Sequence, residues 1–144
     1  MSDFLNQLED DVLSFVQSND LLSPLIKHAH TKYAVDLGDY AAQQLPAVSV
    51  YALGFDELEP GQAGRINVNI ALEVIHCAGD ITVADDAVKR IVGELVAQLH
   101  AEFVQNYDGD YRITEPVTGQ VLLPEKTDNE FQVIGLINAR IIIS

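Results

Sequence analysis

The sequence predicts one α+β domain, a mainly antiparallel sheet packed by an N-terminal helix and a long central helix. Three observations carry that expectation. Residues 83–106 repeat apolar side chains at three- and four-residue spacing, and residues 66–75 alternate apolar and polar with period two. The patterns run in the order helix, strand, strand, long helix, strands. With 144 residues, the chain is the size of one domain and can hide roughly 70% of its unfolded surface. No repeat, low-complexity tract or linker divides it, so residues 1–144 read as one unit.

Ser2 is placed to cap a first helix, in which Phe4, Leu5, Leu8, Val12, Phe15 and Val16 form a stripe over about four turns. Asp3, Glu9, Asp10 and Asp11 lie off that stripe or near the positive end of the helix dipole. Ser18-Asn19-Asp20 should stop the helix, and Pro24 could open a short second helical turn carrying Leu21, Leu22, Leu25 and Ile26. Tyr33 and Val35 suggest a short strand before a turn at Leu37-Gly38-Asp39.

Ala47 to Leu53 reads as a strand, Val48 and Val50 on one face, Tyr51 and Leu53 on the other, with Gly54 ending it. Residues 55–64 then form an acidic loop. In the next strand Ile66, Val68, Ile70, Leu72 and Val74 share one face. After a turn at Ala78-Gly79-Asp80, Thr82-x-x-Asp85 resembles a capping box ahead of the long helix. Val88, Ile91, Val92, Leu95, Val96, Leu99 and Phe103 form its apolar stripe. This stripe should pack on the Ile66–Val74 face. Gly93 costs roughly 1 kcal/mol there against alanine, which a close approach to the sheet would justify. Short strands at 111–117 and 121–123 suggest a hairpin around Thr118-Gly119. A second acidic loop, 124–130, precedes a last strand from Phe131 to Ile143.

Composition fits a folded protein, with 48% hydrophobic and 21% charged residues. No stretch approaches the ~20 apolar residues of a membrane span, and no basic-then-apolar start suggests a secretory signal. Cys77 has no internal partner, which points to a reducing compartment such as the cytoplasm. Twenty-two acids oppose eight bases, a formal charge of −14. The first 72 residues hold ten acids and three bases, the last 72 twelve and five, so each half is −7. Such a surface disfavours tight nucleic-acid binding and anionic membranes, and keeps the chain soluble.

The residues offer little chemistry. His28 and His30 share a face on a strand, but zinc needs three or four ligands and no carboxylate or cysteine nearby completes a set. His76 beside Cys77 could activate a thiolate, yet adjacent strand residues point to opposite faces, so a structural cysteine is the expectation. His100 borders an apolar stripe, an ordinary place for a hydrogen-bonded histidine. Asn106-x-Asp108-x-Asp110 imitates a calcium loop but has Tyr111 and Val117 where glycine and glutamate belong. With no phosphate loop, nucleophile elbow or HExxH, no catalytic residue, cofactor or metal is expected.

Two features exceed a plain domain. In the last strand Phe131, Val133, Ile137, Ile141 and Ile143 share one face, yet Ile134, Leu136 and Ile142 occupy the other. Either helices cover both sides or a second subunit does. The loop 55–64 carries Phe55 and Leu58 amid Asp56, Glu57 and Glu59. It reads as a projecting docking element, or as a loop folding its apolar residues inward.

The layout resembles the tail terminator proteins of contractile-tailed phages, in particular the Mu-like prophage family. The resemblance lies in the N-terminal amphipathic helix, "LPAVSVYALG", "RINVNIALEVIHCAGD", the helix "VADDAVKRIVGELVAQLHAEF" and the strand "FQVIGLINARIII". It spans most of the chain and is weakest in 27–46 and 111–130. It implies a structural subunit of a hexameric ring that caps the tail tube, ends its polymerisation and offers a surface for joining the head. The implied partners are further copies, the tail tube protein and a head–tail connector, in the host cytoplasm during assembly and then in the virion tail. An acidic ring lumen would keep passing DNA from sticking. The competing expectation is a non-catalytic soluble binding module that dimerises through its C-terminal strand.

Overall fold

A computed structural model describes residues 3–31, 40–57, 65–105 and 109–143. Helix α1, Phe4–Ser18, buries Leu8, Val12 and Val16, which recur one turn apart. Asp3 stands at its N-cap position; Ser2 lies outside the described residues. The helix stops at Asn19, whose Oδ1 accepts from the Leu21 and Leu22 N–H groups at 2.9 and 3.1 Å. That side chain competes with the helical ladder, so 20–25 fold as hydrogen-bonded turns and not as the expected second helical turn.

Strand β1, His28–Thr31, follows and pairs parallel with β2, Ala47–Glu57. The strand expected at Tyr33 and Val35 and the turn at 37–39 lie outside the described residues. Gly54 does not end β2. The register with β3, Ile66–Ala78, shifts by one residue between Ala52 and Gly54, and pairing resumes as Phe55↔Val68, Asp56↔Asn67 and Glu57↔Ile66. The expected loop 55–64 is therefore corrected: Phe55, Asp56 and Glu57 are strand, and Leu58 and Glu59 lie outside the described residues.

Helix α2, Ile81–His100, continues as a wider π turn over Ala101–Gln105. Its cap is Asp80, whose carboxylate accepts from the Thr82 N–H at 2.8 Å. The expected Thr82–Asp85 box is thus displaced by two residues. Asp85 instead pairs with Lys89 one turn on, at 2.6 Å.

The last strand, β7, Glu130–Ile143, is central. One edge pairs with β3 along thirteen residues, from Ile143↔Ile66 to Phe131↔Ala78. The other edge takes three short strands end to end: β4 (Tyr111–Ile113), β5 (Thr118–Val121) and β6 (Glu125–Thr127). No hairpin forms at Thr118-Gly119, because Gly119 lies opposite Ile137 within β5. The hairpin is instead β6–β7, turned by Asp128 and Asn129, with Asp128 at φ 48°. A short polar residue tolerates that left-handed conformation best after glycine.

Both helices lie on the same side of this sheet. Leu8, Val12 and Val16 of α1 and Val88, Ile91, Leu95 and Leu99 of α2 join Val68, Ile70, Leu72 and Val74 of β3 in one buried cluster. The expected packing of the long helix on that face of β3 is present. Gly93 does not serve it, since it is exposed and a Cβ there would meet nothing within 4 Å. The close approach falls on β7, where a Cβ on Gly135 would overlap Val92 and stand 3.0 Å from Val88 Cγ1. The result is a single α+β domain with a mixed, mainly antiparallel sheet and two helices on one face.

Candidate protein-interaction surface

Strand alternation sends half of the sheet's side chains away from both helices. The pairing lines them up in rows across the strands. One row runs His28, Ala47, Ile75, Ile134, and ends at Leu122, whose N–H donates to the Ile134 carbonyl at 2.9 Å. The next runs His30, Ser49, Glu73, Leu136 and Gln120. Tyr51, Ala71, Ile75 and Ile142 are buried yet belong to no helix-side cluster, whereas Ile134 and Leu136 are half-buried. This is a second apolar layer, with neither helix over it. Among the described residues, helices cover one side of the sheet and not both.

The expected interaction residues do not form one surface. Ile134 and Leu136 sit side by side in adjacent rows, and Ile142 lies further along β7, opposite Asn67. Phe55 is on the other side of the sheet. The extra residue at the bulge reverses the alternation, so Phe55 falls opposite Val68 on the helix side and meets the Phe4 ring edge-on, centroids 5.0 Å apart. It remains 48% exposed. Asp56 returns to the helix-free face, where its carboxylate pairs with Arg140 at 3.2 Å, while Glu115 meets the same guanidinium at 3.5 Å.

A polar, aromatic group borders this face at β1. The His28 and His30 rings stack with centroids 5.3 Å apart. His30 Nδ1 donates to the Thr31 carbonyl at 2.9 Å, and its Nε2 and the Tyr40 hydroxyl are hydrogen-bonded at 2.7 Å. Burial lifts the Glu73 carboxyl above its ordinary range, opposed by the Tyr51 hydroxyl and by His30. Among the described residues no three His, Cys, Asp or Glu side chains gather as a metal-ligand set.

His76 and Cys77 point to opposite faces, as alternation requires. His76 lies opposite Val133 on the helix side, where burial lowers its basicity. Cys77 donates to the Glu130 carboxylate at 3.0 Å, and burial together with that carboxylate pushes its thiol up to about 11. The thiolate is the form this setting disfavours. Asn106 and Asp108 lie outside the described residues.

Sequence reasoning passed over the pair Leu122-Leu123, which it placed inside a short strand. Leu123 is 90% exposed and Leu122 41%, in the link between β5 and β6. The available signal was two adjacent leucines before Pro124 in an otherwise polar stretch. Among the described residues, no helix is long and apolar enough to cross a membrane. Neither the family models nor the curated proteins compared with this chain match it.

Proposed function

We propose that this chain is a non-catalytic structural subunit of phage tail assembly, one copy of a hexameric ring that caps the tail tube. The ring ends tube polymerisation and offers the surface to which a head–tail connector joins. The observation that carries this reading is the second apolar face of β7. Ile134 and Leu136 sit on a strand whose two edges are already used by β3 and by β4, β5 and β6. Half-buried side chains there, with none of the described helices above them, suit contact with another subunit. The charge of −14 suits a passage through which DNA moves without sticking.

The alternative, a binding module dimerising through its C-terminal strand, is constrained by the same geometry. Because β7 has no free edge over most of its length, such a dimer would have to join through the helix-free face and not by adding strand to strand. Size separates the two readings. Light scattering across a concentration series, with electron microscopy of the particles, should give closed hexameric rings, and the rings should co-sediment with tail tubes. A monomer or plain dimer at the highest concentration would refute the ring.

A further inference from the structure

We propose that the outer edge of β5, Thr118–Val121, receives an extended basic segment of another protein as an added strand, between the exposed carboxylates of Glu115 and Glu125. The surface is an edge of the sheet and not its helix-free face, so the proposal is independent of ring formation.

The pairing of β5 shows which of its backbone groups are free. The Leu122 N–H donates to the Ile134 carbonyl, and the antiparallel register continues as Val121↔Gly135, Gln120↔Leu136 and Gly119↔Ile137. In such a ladder successive residues turn their N–H and C=O alternately toward and away from the partner strand. Thr118 and Gln120 therefore share the inward direction of Leu122, and Gly119 and Val121 turn theirs outward. No described residue bonds to those outward groups. Edge strands are commonly protected by charge, yet Thr-Gly-Gln-Val carries none, and Thr118, Gly119 and Gln120 are exposed. What satisfies alternating outward donors and acceptors is another extended chain. Pro116 and Pro124, which have no N–H, bound the edge, so the added strand is short.

Charge and shape select the occupant. From Asp110 to Glu130 five acids accompany two bases. Of those bases, Lys126 lies over the Phe131 ring, 6.0 Å from its centroid. Glu115 shares Arg140 with Asp56, which leaves carboxylate charge in excess at that end too. Basic residues at both ends of the added strand match this edge. A hollow of about 340 Å³ opens on the helix-free face beside Thr118, lined also by Leu53, Asn69, Asn138 and Arg140. The amides of Asn69 and Asn138 bond to no described residue. A lysine facing Thr118 from the added strand lays its apolar stem along the rim of this hollow and brings its ammonium toward the Asp56 and Glu115 carboxylates. The described strands of this chain carry at most one base each, so none of them is the fitting segment.

The test titrates the full-length chain into a fluorescein-labelled peptide of alternating valine and threonine with a lysine at each end, and into its glutamate-ended counterpart. Fluorescence anisotropy should show the lysine-ended peptide binding about tenfold or more tightly, with an advantage that shrinks as salt is added. At saturation, hydrogen exchange at the Gly119 and Val121 N–H groups should slow about tenfold or more. Glu115→Lys combined with Glu125→Lys, both at exposed positions, should reverse the preference between the peptides. Binding of neither peptide, equal affinity for the two, or protection that spares Gly119 and Val121 overturns the proposal. Protection of those two amides by self-association, with no peptide present, makes the occupant a second copy and overturns it as well.

Discussion

The Glu9 carboxylate of α1 accepts a hydrogen bond from the Ala52 N–H of β2, Oε2 to N 2.7 Å, beside the bulge that redirects the rest of that strand. Glu9 is buried, so this bond is shielded from water. Three residues beyond Ala52, Phe55 meets Phe4 of the same helix. Helix α1 therefore grips β2 on both sides of its irregularity.

Replacing Glu9 by leucine should cost about 1–3 kcal/mol, because it removes the side-chain acceptor from Ala52 N–H in a buried setting. Glu9→Gln keeps an acceptor oxygen and should recover much of the loss. Urea denaturation of the two variants beside wild type reads the difference, and equal midpoints for Gln and Leu would show that the bond contributes nothing.

Gly135→Ala should destabilise by about 1–3 kcal/mol through overpacking against Val92 and Val88. Val92→Ala opens space at the same point, so the double variant should lose less than the sum of the single losses. Strict additivity would mean that the helix moves aside at no cost.

Leu95→Ala should cost about 2–5 kcal/mol, since Leu95 is fully buried between α2 and the sheet. Leu53→Ala is the control. That side chain is 54% exposed on the helix-free face, and its loss should stay within about 0.5 kcal/mol. Chemical denaturation of both variants checks the contrast.

Burial raises the pKa of Glu73 in the fold above its ordinary 4.5. The unfolded chain therefore gives up this proton first, and the favourable contribution of the protonated group is lost as pH rises through the folded value. Glu73→Gln removes that loss. The variant should gain on wild type as pH rises above the ordinary carboxylate range, measured as the difference in melting temperature at each pH. A constant difference across the range would contradict the burial argument.

The long elements were legible because their burial is one-sided. Val88, Ile91, Leu95 and Leu99 keep helical period, and Val68, Ile70, Leu72 and Val74 keep period two, so each pattern specifies both element and face. The helix-free face was legible on β7 alone, where Ile134 and Leu136 interrupt the expected polar alternation. Phe55 was misplaced because one inserted residue reverses facing, and nothing local to Leu53-Gly54 distinguishes a bulge from a strand end. The segments His28–Thr31, Thr118–Val121 and Glu125–Thr127 have no strong pattern of their own, and their pairing with β2 and β7 makes them strands. Leu123 escaped because exposure is a property of the surroundings and not of a leucine's neighbours in sequence.

The strand that joins the sheet together is also the one synthesised after every other described element. Until residues 130–143 leave the ribosome, β3 has a thirteen-residue edge open to water and β4, β5 and β6 have no ladder to join. Such an edge invites pairing with any other extended chain. Sheet completion thus depends on contacts distant in sequence, the kind that close slowly. A nascent chain halted before Phe131 is a half-built sheet with a sticky side, the species that chaperones hold and proteases remove.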